Sequence, residues 1–149
     1  MADSADETLD AFAARFAACA IPKDEWTHAA HLAIGAWHVA RYGPDEAVVR
    51  LRGGIRRLND SHGTPNSASS GYHETVTRAY VILLGQFLRD RAPEPLAGSV
   101  AALRAGALST RDVLLRFYAR ETLFSARARA EWVEPDLRPL QLSVVYDRT

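Results

Sequence analysis

Two short runs gather the residues whose types and spacing could do chemistry: Trp26-Thr27-His28-Ala29-Ala30-His31-Leu32 and Gly71-Tyr72-His73-Glu74-Thr75-Val76-Thr77-Arg78. Each opens onto a stretch, Ala33–Ala40 and Ala79–Leu88, that is apolar around nearly the whole helical circumference. A helix of that kind belongs in the centre of a fold. Imidazoles and a carboxylate carried there are costly unless they are paired or bound to something.

A metal centre is the first chemistry this pattern suggests. Histidines at i and i+3 on one helix, with a histidine and a carboxylate on a neighbour, are how helical bundles build such sites. His28, His31 and His73 would be the ligands of one divalent ion, and Glu74 a fourth ligand or a base. Three protein ligands and an open position suit zinc-activated water, whereas two histidines and a carboxylate suit non-haem iron. His73 and Glu74 are adjacent, however, so on an ideal helix they diverge by about 100° and only one would face His28 and His31.

Metal-free acid–base chemistry is the second. His73 and His28 would exchange protons near neutral pH. Glu74 and Arg78, at i and i+4, have the spacing of an ion pair. Buried, that pair would orient a histidine, or Arg78 would bind a carboxylate or phosphate beside the helix N-terminus. Glu74, His73 and Arg78 are thus the catalytic candidates. Asn59, His62, Asn66, Tyr72 and Thr77 are the candidates for holding a substrate. The same residues also have structural readings: Thr27 as a helix cap, His28 and His31 bonded to carbonyls, Glu74 favoured by the helix dipole. His38 shares the stripe of His28 but lies ten residues on, about 15 Å away.

The elements that must position these groups read as helices. Asp6–Ala18 carries a stripe of Leu9, Phe12, Ala13 and Phe16. A second helix, capped by Asp24 or Thr27, runs to Arg41 and stops at Gly43-Pro44. A third begins at Pro44 and buries Val48, Leu51, Ile55 and Leu58, with Gly53-Gly54 marking close packing or a kink. A long polar loop follows, Asn59–Gly71, and then a fourth helix over Tyr72–Arg91. A fifth ends at Gly106; Ser109-Thr-Arg-Asp112 should cap a sixth through Phe117 and Tyr118. A short helical piece covers Thr122–Arg129, and from Trp132 the chain reads as an extended tail with one short strand signal at Gln141–Tyr146. Residues 1–5 and about 141–149 should be loosely ordered or extended. The tight turn between the second and third helices makes the fourth parallel to the second, so both histidine-bearing ends should share one end of the bundle.

The 149-residue chain is long enough for one domain with a real core. Its formal net charge of zero favours neither nucleic acid nor an anionic membrane. The single cysteine excludes an intrachain disulfide and a thiolate-cluster zinc site. The acidic N-terminus is unlike a signal peptide and no apolar run spans a bilayer, which points to the cytoplasm.

Glu25–Leu32, Ile55–Asn59, Gly63-Thr-Pro-Asn66, Gly71–Arg78 and Trp132–Leu137 together resemble a group of small bacterial all-α proteins to which no reaction is assigned. The likeness runs from about Glu25 to Leu140 and points to the same segments. The sequence therefore predicts a compact all-α bundle of five to seven helices with an extended C-terminal tail. A polar pocket would sit at one end, lidded by Asn59–Gly71, in an enzyme acting on a small molecule, metal-dependent in one version. The alternative is a non-catalytic module that holds a ligand or forms a homodimer through a helix face.

Overall fold

The computed structural model describes residues 7–146, which form eight α-helices and no strand. Helix α1 (Leu9–Ala17) starts where the Thr8 hydroxyl accepts the Ala11 N–H at 3.0 Å, and it buries Ala13 and Phe16. Helix α2 (His28–Tyr42) is capped by Thr27, whose hydroxyl accepts the Ala30 N–H at 3.2 Å. Asp24 instead lies in a single 3-10 turn, Lys23–Glu25. Gly43, at φ +81°, reverses the chain directly into α3 (Pro44–Ser61).

Helix α4 (Glu74–Arg91) begins two residues later than its sequence suggests, because His73 is its cap rather than its first turn. The imidazole Nδ1 of His73 accepts the Val76 N–H at 3.1 Å. Helices α2 and α4 are the central pair: Leu32, Ala33, Ile34 and Ala36 of one and Ala79, Val81, Leu83 and Leu84 of the other are all essentially inaccessible. Fully burying a Leu or Ile contributes about 1.5–3 kcal/mol, so this pair anchors the core. Gly53-Gly54 does not interrupt α3. Gly54 instead admits the Phe16 ring, which would lie 2.4 Å from a Cβ at that position.

The loop between α3 and α4 is tied down by Asn66. Its Nδ2 donates to the Arg56 carbonyl and to Asp60 Oδ1, both at 3.2 Å, while its Oδ1 accepts from Asn59 Nδ2 and the Tyr72 N–H, both at 3.0 Å. Gly71, at φ +79°, closes the loop where a Cβ would sit 2.4 Å from the Pro65 carbonyl oxygen. Gly71→Ala combines positive φ with a backbone clash, so it should lower stability by about 2 kcal/mol in a denaturant titration. A loss near zero would mean that the loop has other conformations open to it.

After α5 (Leu96–Ala105) the chain departs from the expected sixth helix. Two 3-10 turns, Ala107–Ser109 and Val113–Arg116, take its place. The Ser109 hydroxyl donates backwards to the Gly106 carbonyl at 2.6 Å instead of capping forwards. Helices α6 (Arg120–Leu123) and α7 (Ala126–Ala130) are single turns that cover the start of α4. The segment from Trp132 crosses the bundle without regular structure, held by the Tyr118 hydroxyl donating to the Val133 carbonyl at 2.7 Å. The strand signal near residue 141 is in fact helix α8 (Leu142–Tyr146), with Leu142 and Val145 buried. Gln86 clamps its entrance through the Leu140 carbonyl and the Leu142 N–H. Residues 142–146 are therefore packed, not loose; residues 1–5 and 147–149 lie outside the described part. No described helix is long and apolar enough to cross a membrane.

Candidate functional site

The first turns of α2 and α4 line one cavity of about 660 Å³, as connectivity required of two parallel neighbours. Trp26, Thr27, His28 and His31 form one side, Val76, Thr77 and Tyr80 the other. Leu32, Leu51, Ile55, Val81 and Leu84 make the apolar floor, and Arg111 stands at the exposed margin. Gly35 keeps the floor narrow: a Cβ there would come within 2.8 Å of Leu84 Cδ1.

The two histidines of α2 are held by backbone carbonyls, which fixes their tautomers. His31 Nδ1–H donates to the Thr27 carbonyl at 2.7 Å. His28 Nε2–H donates to the Leu108 carbonyl at 3.1 Å. Each ring therefore keeps one nitrogen, His31 Nε2 and His28 Nδ1, as a lone-pair acceptor with no protein partner among the described residues. The Trp26 indole lies over the His31 ring with centroids 3.9 Å apart. Desolvation by the surrounding walls pushes the His31 pKa down, the Thr27 carbonyl opposes this, and His28 adds to the fall. The net effect is a pKa lowered to about 4, although the residue keeps an exposed edge. The Tyr80 ring packs edge-on against His28 at 5.6 Å, and its hydroxyl is buried with no hydrogen-bond partner among the described residues. Burial, then the charge of Asp112, raises the Tyr80 pKa, so the phenol stays protonated.

His73 and Glu74 do not reach this cavity. Beyond capping α4 through Nδ1, His73 donates its Nε2–H to the Leu123 carbonyl at 2.8 Å. Both ring nitrogens are thereby occupied. Burial first, then the neighbouring Arg129, holds its pKa below the usual imidazole value. Glu74 turns the other way. Its Oε1 and Oε2 accept from Arg52 Nε at 2.9 Å and Nη2 at 2.7 Å, and Oε1 also accepts the Tyr72 hydroxyl at 2.8 Å. Burial alone would raise the Glu74 pKa. The Arg52 fork, the Tyr72 hydroxyl and the Arg78 charge outweigh it, and the carboxyl sits below its ordinary range.

The i,i+4 pair expected between Glu74 and Arg78 is thus replaced by a pair with Arg52. Arg78 lies over the Trp132 ring, 5.0 Å from its centroid. Tyr72 is buried and spent on Glu74; Asn59 and Asn66 hold the loop together; His62 donates Nε2–H to the Ile21 carbonyl at 2.7 Å. Asn59 lies in the last turn of α3 and not in the loop, and none of these residues lines the cavity, so the loop is a packed connection and not a lid. Of the residues singled out from sequence, His28, His31 and Thr77 line the cavity. His38 is buried further along α2 and borders a different cavity, its Nδ1–H bonded to the Ile34 carbonyl at 2.8 Å.

The donor set does not suit the metal expected from sequence. A catalytic zinc takes three protein ligands. His73 has no lone pair to offer, and among the described residues no three His, Cys, Asp or Glu side chains gather around one point. Trp26, Tyr80, Arg111 and Arg52 are the participants that spacing missed. Tyr80 was accessible: it continues the Val76 face of α4 by one turn.

Fold and site together define an all-α bundle with a mostly apolar cavity edged by two tautomer-fixed imidazoles. No family model, curated protein or solved structure matches the chain.

Proposed function

We propose that the chain binds a small, largely apolar organic molecule between α2, α3 and α4 and that His31 takes a proton from it, with His28 beside it. One observation carries this reading. The Thr27 carbonyl commits Nδ1 of His31 to the N–H form, so in the neutral ring Nε2 is the nitrogen that presents its lone pair on a cavity wall. Apolar surroundings keep that imidazole neutral, which is the form a general base needs. The reading supports an enzyme using metal-free acid–base chemistry. A second reading, a binding module without catalysis, is favoured by the lining itself: it is mostly apolar and contains no carboxylate.

Ligand-observed NMR in deuterated water separates the two, using a mixture of small C–H-acidic ketones, esters and carboxylates. The wild-type protein should show saturation transfer to at least one compound and catalyse loss of its acidic C–H signal. His31→Gln should keep the fold and the saturation transfer, while the exchange rate falls by about 10²–10⁴-fold. Binding without exchange in the wild type would leave only the module. No binding at all would contradict both.

A further inference from the structure

We propose that the occupant of this cavity is an amphiphilic monoanion, a carboxylate on an aliphatic or aromatic body, with its head at Arg111 and its body on the floor. The inference rests on the cavity being a ligand site, but not on His31 acting as a base.

Charge is the first argument. Arg111 is the single charged side chain among the lining residues, and no Asp or Glu accompanies it. It makes no ion pair or side-chain hydrogen bond with any described residue. A cationic ligand would find no counter-charge here, and it would meet a guanidinium at the entrance. Asp112 follows in sequence and its charge is felt at Tyr80, yet it is not part of the lining.

Placement is the second argument. Arg111 is exposed, whereas Leu32, Leu51, Val81 and Leu84 are buried beneath the cavity. A ligand matching this order is wet and negative at one end and greasy at the other. A guanidinium forms paired hydrogen bonds to a carboxylate, and apolar surface supplies the rest of the affinity. A volume of about 660 Å³ is in the range that encloses a small organic molecule. The two acceptor nitrogens lie on the α2 wall, where they can receive a hydroxyl or acidic C–H of the body without competing for the head.

Octanoate and 1-octanol, equal in chain length and different in charge, test this by isothermal titration calorimetry at neutral pH. The wild type should bind octanoate about tenfold tighter than octanol. Arg111→Gln is a substitution at an exposed position that should leave the melting temperature unchanged and abolish this preference, with octanol binding preserved. Equal binding of the two compounds by the wild type, or a preference that survives Arg111→Gln, would overturn the carboxylate assignment while leaving the cavity as a ligand site. Binding of neither compound would overturn the assignment and the ligand site together. Loss of C–H exchange in His31→Gln has no bearing on this outcome, so the two readings fail separately.

Discussion

Arg52→Met is expected to lower the stability of this protein by about 2–4 kcal/mol, a loss out of proportion to a residue whose side chain is 37% exposed. The reason is the partner, not the arginine. Glu74 is only 7% accessible, and Arg52 grips both of its carboxylate oxygens. Removing one member of such a pair strands the other's charge in the interior, at a cost of about 3–5 kcal/mol for fully buried pairs; the partial exposure of Arg52 lowers that figure. Replacing both, as Arg52→Met with Glu74→Met, should recover part of the loss, because no unpaired charge remains. Urea denaturation of the two single variants and the double variant measures this. A loss below about 0.5 kcal/mol for Arg52→Met would place the pair among ordinary surface ion pairs.

The same pair sets a pH dependence with a definite sign. The carboxyl of Glu74 is depressed in the folded state, so its contribution is present above the ordinary carboxylate range. It fades as pH falls through the unfolded value and is gone once pH drops below the folded one. The stability gap between the wild type and Glu74→Gln should therefore narrow on acidification. A gap that stays constant to low pH would mean that the charge on Glu74 contributes nothing.

The second large effect separates two neighbouring glycines. Gly54→Ala should cost about 2 kcal/mol or more, even though alanine is a better helix former by roughly 1 kcal/mol. The new Cβ would meet two atoms of the Phe16 ring, at 2.4 and 2.5 Å, and that ring is 2% accessible. A rigid aromatic in a packed core cannot yield cheaply. Gly53→Ala meets only the tip of Arg57, at 3.1 Å, and a flexible guanidinium can swing away. It should be neutral or stabilising by up to about 1 kcal/mol, as helix propensity alone dictates. Thermal unfolding of the two variants side by side checks the contrast. Equal effects would show that helix propensity, not contact with Phe16, decides both positions.

The fold was readable where one local signal dominated. Apolar periodicity and the Gly43-Pro44 break placed the end of α2 and the start of α3 to within a residue, although α3 runs on through Asn59 to Ser61 where a loop was expected, and the all-apolar circumference identified α2 and α4 as the inner pair. The reading failed where two signals competed. Ser109 could cap forwards or bond backwards, and in the 3-10 turn Ala107–Ser109 its hydroxyl bonds back to the Gly106 carbonyl. The segment at 142–146 is β-branched enough to suggest a strand, but its burial against α4 and the Gln86 clamp make it helical.

The candidate site was legible in part for a related reason. Connectivity correctly brought the starts of α2 and α4 together, and His28, His31 and Thr77 followed. Side-chain direction was not available from spacing. His73 precedes its helix as a cap, so the angular argument for a residue within the helix did not apply to it. Glu74 took a partner from α3, and no i,i+4 rule within α4 could have named Arg52. Nor could helix periodicity bring in Arg111, which enters from a segment without regular α-helix.

The most direct test of the central claim is ethoxyformylation by diethyl pyrocarbonate, which attacks unprotonated, accessible imidazole nitrogens, mapped residue by residue by mass spectrometry on the folded protein. His31, with a free Nε2 on the cavity wall, should be modified first, and His73, with both nitrogens hydrogen-bonded, should remain unmodified until the protein unfolds. Modification of His73 as fast as His31, or no reaction at His31, would contradict the account.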